Sequence, residues 1–282
     1  MAEALCDVGA EGVAILDVLQ EHGDEAIDHL QKKYNVPAAF YKVDVTNDEM
    51  INTAMEQIVR DFGKIDVLVN SAGIADSNIP AETYDIAKFR RLIDINLTVS
   101  FVTAQAAGKQ MMKTGGGSIV FIASMSGHIV NWPQQQCCYN ASKAGVIMLA
   151  KSLAAEWARH GIRVNSISPG YMDTALNRVP ALDAQKVMWN ERTPMGRLGN
   201  VDELNNLAIF LASDASTYMT GSDLICDVSF NRIDWCLTTL VVDHDANGIA
   251  GWLHCLVNAL FTTERRRRYE HDATYRAHGS VG

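Results

Sequence analysis

Positive charge is in short supply in this chain. Its 282 residues carry 24 Lys and Arg against 33 Asp and Glu, a formal net charge of -9. That balance opposes contact with a polyanion and argues against a nucleic-acid surface. Long apolar runs are lacking as well: no uncharged apolar stretch approaches the roughly 20 residues that a bilayer span requires, so no membrane partner is expected. Glu3 and Asp7 stand where a secretory signal would place basic and then apolar residues, and a cytoplasmic location is expected. The six cysteines (Cys6, Cys137, Cys138, Cys226, Cys236, Cys255) form no CxxC pair and no His/Cys group. Neither a disulfide framework nor a metal site is expected. What remains, 48% hydrophobic and 20% charged residues, suffices for the core of one large domain.

Between Gly12 and Asp227, short β-branched runs alternate with longer segments of helical period. This alternation is the signature of a parallel sheet with crossover helices, an α/β fold. Strands are expected over 13–16, 38–43, 65–69, 118–123, 162–167 and 223–226. A helix over 47–62 should open on an Asn cap with acids in its first turn, and one over 140–160 should stop at Gly161. In open sheets of this kind, ligands bind at the carboxyl ends of the strands.

Tyr139-Asn140-Ala141-Ser142-Lys143 places a phenol and an ammonium one helical turn apart, on one face. The ammonium is expected to draw down a tyrosine pKa that is ordinarily near 10, making a usable general acid/base. Asp17 ends the first strand, where a carboxylate accepts hydrogen bonds from an adenosine ribose and repels a 2'-phosphate. No Arg or Lys follows at Val18 or Leu19, so NAD is expected over NADP; a solvated loop acid is the alternative for Asp17. Asp44, after the second strand, could meet an adenine amino group. Asn70-Ser71-Ala72-Gly73 offers small residues after a strand, which let backbone approach a flat ligand or simply form a turn.

These motifs, in this order, resemble the short-chain dehydrogenase/reductase family over 2–227. Asn70 to Gly73 is similar to the family's NNAG, with Ser71 replacing the second asparagine; Tyr139 and Lys143 match YxxxK; Pro169-Gly170 matches a PG after the sixth strand. The resemblance implies a doubly wound, Rossmann-like parallel sheet and a nicotinamide cofactor. It assigns catalytic roles to Asn96, Ser124, Tyr139 and Lys143. It places Asp17, Asp44, Val45, Asn70, Ala72, Gly73, Tyr139, Lys143, Pro169, Gly170, Met172 and Thr174 around NAD, with NADP as the alternative. The family's usual spacing of thirteen residues before the tyrosine selects Ser126, whereas the SxxG context selects Ser124, which is preferred.

The stretch 124–146 is similar to that of fungal polyol dehydrogenases of the D-arabinitol and mannitol kind and of sorbose reductases. This implies a small alcohol or ketone as substrate, a sugar alcohol or related polyol. Such a ligand needs several fixed donors and acceptors. Ser126, His128, Gln134 and Tyr171 are expected to face it, with Asn131, Gln135 and Gln136 as further candidates. A secondary-metabolite ketoreductase and a non-catalytic binding homologue are the competing readings. The resemblance also implies a homo-oligomer, a tetramer or dimer, paired through the helices that hold Asn96 and Tyr139.

Both ends depart from the family pattern. A family member carries a strand and a TGxxxGIG turn, which bring a helix N-terminus to the pyrophosphate, before a helix whose second half 2–8 resembles. The expected sheet therefore lacks its first strand, with two facing edges unpaired. Thr114-Gly115-Gly116-Gly117-Ser118 precedes a strand and reads as a flexible turn, not as a phosphate cradle. At the other end, Val228-Ser229-Phe230 stands where Gly-Gly-Tyr is expected. Val-Ser is what an intron donor of sequence GTAAGT would encode, so 228–282 is read as translated intron or as a divergent extension carrying the Arg run 265–268.

Overall fold

The computed structural model describes residues 1–174, 177–178 and 180–227. The expectations for 228–282 lie outside the described residues. Six parallel strands alternate with eight α-helices: α1 (Ala2–Asp7), β1 (Val13–Asp17), α2 (Gln20–Tyr34), β2 (Ala38–Lys42), α3 (Asp48–Phe62), β3 (Val67–Asn70), α4 (Ile86–Ile93), α5 (Val99–Thr114), β4 (Gly117–Ile122), α6 (Cys137–Trp157), β5 (Ile162–Pro169), α7 (Asp183–Arg192), α8 (Asn205–Ala212) and β6 (Asp223–Cys226). The α/β fold with parallel strands is the one expected.

Local chemistry accounts for the boundaries. Asn47 caps α3 by accepting from the Glu49 and Met50 N–H groups at 3.0 and 3.1 Å, satisfying donors that the first helical turn leaves without a partner. Helix α6 begins at Cys137, three residues before the expected start, because Asn140 N–H bonds the Gln136 carbonyl at 3.0 Å and closes a turn there. It ends through a 3-10 turn, Ala158–His160, on a left-handed Gly161. The glycine run before β4 is a turn, as expected, but a tight one. A Cβ at Gly116 would fall 2.4 Å from the Gly161 carbonyl oxygen.

The strands form two sheets, β1–β2 and β3–β4–β5–β6, all parallel. Strands β1 and β3 each keep one edge without a ladder partner among the described residues. Both sheets nevertheless share one helical layer. Ile51, Met55 and Ile58 of α3, Ala104 and Met111 of α5, and Val146 and Leu153 of α6 form one apolar cluster with Ile119 and Phe121 of β4. Ala14 and Leu16 of β1 and Leu68 of β3 pack against that same cluster. The opposite face of β4 and β5 is covered by α8 and the 3-10 turn Val201–Leu204 before it, with Val120 and Ile167 against Leu204, Ala208 and Leu211. The half-sheets are thus two parts of one layer. The apolar residues of β1 are only partly buried, whereas 118–121 of β4 are fully enclosed. That contrast is what an open edge produces in a sheet otherwise covered on both faces.

Candidate active site

Four side chains converge where β3 and β4 end. Ser124 follows β4 and leads a 3-10 turn, Met125–Gly127. Gly127 is required there: a Cβ would lie 2.7 Å from Ile147 Cδ1 and 2.9 Å from the Ala144 nitrogen, so only a glycine lets the turn rest on α6. That contact brings Ser124 near enough to the Tyr139 phenol to lower its pKa. Lys143, one turn further along α6, extends back to β4 and donates to the Ile122 carbonyl at 2.9 Å. Its Nζ lies 5.7 Å from the centre of the Tyr139 ring.

Asn96 arrives from an irregularity. Between α4 and α5 the helix widens into a π-segment, Asp94–Thr98, the kind of bulge that re-aims side chains at functional sites. The Asn96 amide clamps Ile74 on both sides, accepting from its N–H at 2.8 Å and donating to its carbonyl at 2.9 Å. It also donates to Ser142 Oγ, at 3.0 Å, on the Tyr139 helix. The loop after β3 is thereby fixed beside α6.

The electrostatics reverse one expectation. Tyr139 was expected to have its pKa drawn down by Lys143; instead burial raises it, with the Ser124 hydrogen bond as a smaller opposing influence. The Lys143 ammonium is itself burdened by desolvation, which lowers its pKa to about 8. The reason is that Lys143 is buried and Tyr139 half-buried, and the ammonium bonds a neutral carbonyl rather than the phenol.

Gly73 tests whether a nicotinamide fits. It is exposed, and a Cβ there would lie 3.1 Å from Asn96 Oδ1 and 3.7 Å from Lys143 Nζ. Bare backbone beside a buried ammonium, at the carboxyl ends of β3 and β4, suits a flat ring and its ribose. Ala72 precedes it, partly buried. Pro169 ends β5, and the Gly170 N–H bonds the Cys226 carbonyl at 2.9 Å. The Thr174 N–H bonds the Met172 carbonyl at 2.9 Å.

Other expected residues have different tasks. The Asn70 side chain is buried and donates to the Ser100 carbonyl at 3.2 Å, tying β3 to α5. Met172 turns its side chain into the apolar cluster with Leu204, Ala208 and Leu211, so only its backbone is left for a ligand. Val45 packs against the main core. Asp17 and Asp44 are exposed; each accepts from a residue two positions on, Leu19 N–H at 3.0 Å and Thr46 N–H at 2.9 Å. His128 is not left free for a substrate. Its Nε2 lies 2.7 Å from Asp223, whose carboxylate also accepts from Ser168 at 2.9 Å.

The loop after the 3-10 turn forms a polar wall near Tyr139. Asn131 donates to the Tyr171 hydroxyl at 3.1 Å, and that hydroxyl donates to Gln134 at 2.9 Å. Burial pushes the Tyr171 pKa up to about 12. Its ring stacks on Trp189 of α7 with centroids 4.2 Å apart. Asn78, in the loop after β3, exchanges hydrogen bonds with Gln185 of α7 at 3.0 and 3.3 Å. Sequence reasoning overlooked Trp189, Asn78, Gln185 and Ser142. No motif marks them, and each becomes relevant only through a long-range partner.

A family model described as "Enoyl-(Acyl carrier protein) reductase" matches residues 1–231. The sorbose reductase of Schizosaccharomyces pombe is 41% identical over 228 residues, 80% of this chain and 88% of that protein. The chain belongs to the short-chain dehydrogenase/reductase family. Within that family it is also similar to the NADP-dependent mannitol dehydrogenase of Aureobasidium melanogenum, at 41% identity over 227 residues, covering 80% of this chain and 84% of the other. Among solved structures, an NAD+-bound xylitol dehydrogenase superposes with a TM-score of 0.74 at 32% identity, covering 79% of this chain and 91% of that one. The protein is therefore a nicotinamide-dependent oxidoreductase by family. No helix among the described residues is long and apolar enough to cross a membrane.

Proposed function

We propose that this enzyme interconverts a secondary alcohol of a polyol and the corresponding ketone. The observation that carries the reading is the convergence of Ser124 on the half-buried Tyr139 phenol, whose pKa it lowers against burial, with Lys143 held behind the pair by the Ile122 carbonyl. The bound nicotinamide supplies hydride chemistry at its C4. The nicotinamide ribose would lie against Lys143 and Gly73, the carboxamide against Pro169, Gly170 and Thr174, and the adenosine near Asp17, Asp44 and Val45.

Tyr139, whose raised pKa keeps the phenol protonated at neutral pH, donates its proton to the substrate oxygen in reduction and takes it back in oxidation. Ser124 donates to the same oxygen, fixing the carbonyl against the phenol. Asn96 keeps the loop after β3 in place and leads the proton path away behind Lys143. Polyol chemistry suits the amide-rich wall of Asn131, Gln134, Gln136 and Asn140, and it accords with relatives that are a mannitol dehydrogenase, a sorbose reductase and a xylitol dehydrogenase.

Tyr139→Phe keeps the shape and removes the proton, so turnover of a polyol with NAD or NADP should fall at least about a hundredfold. Near-normal turnover in that variant, followed as nicotinamide absorbance, would refute the assignment. The cofactor preference is proposed as NAD on the strength of Asp17 and the lack of a nearby Lys or Arg at 18 and 19.

A further inference from the structure

Asp223 of β6 keeps a carboxylate inside the sheet, with only 5% of its side chain exposed. Its Oδ1 accepts from Ser166 and Ser168 of β5, the second at 2.9 Å, and both serines are buried. Its Oδ2 is left for His128, whose Nε2 lies 2.7 Å away although the two residues are 95 positions apart. A carboxylate can only accept, so Nε2 carries a proton in either charge state of the ring. The tie therefore holds whether or not the imidazole is charged. Removing the ring would leave a buried acceptor short of a donor, which is costly.

What the imidazole moors is the turn that begins at Ser124. The His128 N–H closes that turn on the Met125 carbonyl at 2.8 Å, and the Gly127 N–H bonds the Ser124 carbonyl at 2.9 Å. Within the same turn the Ser126 N–H donates to Ser124 Oγ at 3.2 Å. That bond occupies a lone pair of the hydroxyl and leaves its proton free to point out of the turn. Gly127 rests the turn on α6, and His128, the next residue, fastens it to β6. Ser124 thus aims its proton from a turn held between two elements that are remote in sequence.

We infer that His128 is a positioning residue: through its bond to Asp223 it holds the turn that aims the Ser124 hydroxyl at the reacting oxygen, and it touches no substrate itself. This rests on the reading of Ser124 as a donor to the substrate oxygen. The role requires an N–H donor at one distance from the backbone. Glutamine carries its Nε2 as many bonds from Cα as the imidazole Nε2, asparagine stops one bond short, and phenylalanine keeps a ring without the donor.

His128→Phe, His128→Asn and His128→Gln are compared with the parent for kcat and KM on the fastest member of a pentitol and hexitol panel, per folded molecule by circular dichroism. The Phe and Asn variants should lose about tenfold in kcat with KM within about twofold, because the Ser124 bond matters most in the transition state. Gln should return kcat to within about threefold of the parent. In parallel, hydrogen exchange at the Gly127 and His128 amides should quicken about tenfold in the Phe and Asn variants and match the parent in Gln. If the Phe variant does not fold, Asn against Gln carries the comparison. Unchanged kcat in the Phe and Asn variants, a rise in KM alone, equal rescue by Asn and Gln, or exchange that does not respond overturns the inference. A parent chain that turns over no polyol, with exchange following the stated pattern, would instead count against the proposed activity and leave the mooring of the turn by His128 standing.

Discussion

Lys143 is held in the folded chain against its charge. Burial lowers its pKa from an ordinary 10.5 to about 8. Between pH 8 and 10.5 the unfolded chain keeps a proton that the folded one has shed, so stability from this group rises with pH across that window. Below pH 8 the buried ammonium weakens the fold by a constant amount. Lys143→Met should therefore stabilise the protein at pH 7 by on the order of 2 kcal/mol. The gain should shrink from pH 8 towards 10.5, as urea unfolding at several pH values would show. A variant less stable than the parent at pH 7 would contradict this electrostatic account. At Asp17, the exposed carboxylate has only the Leu19 N–H as partner among the described residues, so Asp17→Ala should leave folding intact while raising NADP use relative to NAD. An unchanged ratio of kcat/KM for the two cofactors would remove the proposed preference. The identities of Tyr139, Lys143, Ser124 and Asn96 were legible because each belongs to a short local motif. Their charge states were not, because desolvation depends on residues such as Ile122 and Ser124 that arrive from another strand.

At the scale of elements, the site depends on the 3-10 turn after β4 resting on α6. Gly127→Ala would place a methyl 2.9 Å from the Ala144 nitrogen and 2.9 Å from the Lys143 carbonyl carbon, backbone atoms that have no rotamer to change. The turn must lift from the helix, at a cost of about 1–3 kcal/mol, and Ser124 should move from Tyr139. Urea unfolding should record the first effect and a fall in turnover the second; an alanine variant with parental stability would mean that α6 yields easily. The SxxG pattern announced this glycine without its reason. The π-segment at Asp94–Thr98 was not announced at all. No spacing in its residues marks the extra width, which coincides with the Asn96 clamp on Ile74. The expected start of α6 missed Cys137 because nothing in 137–138 signals a cap, and Gln136 turns inward.

At the scale of the whole molecule, two half-sheets lie under one layer of helices, with an open edge on β1 and another on β3. The backbone amides of β1 should exchange with deuterium faster than those of β4, which is paired on both sides and enclosed. Similar protection in the two strands would indicate that the edge is covered.

The sequence by itself determined the alternation of strand and helix, the order of the Asn70, Asn96, Ser124, Tyr139 and Lys143 motifs, and through them the family. These are local signals, set by hydrophobic period and by spacings within a turn or two. The tertiary structure alone decided which serine meets the phenol, since Ser124 and Ser126 differ only in which way one 3-10 turn faces α6. It also withdrew His128 to Asp223 and Met172 into the core, and it raised the Tyr139 pKa where proximity to Lys143 had suggested lowering. Each of these outcomes depends on partners distant in the chain and on how much water the packing excludes, and no spacing encodes either.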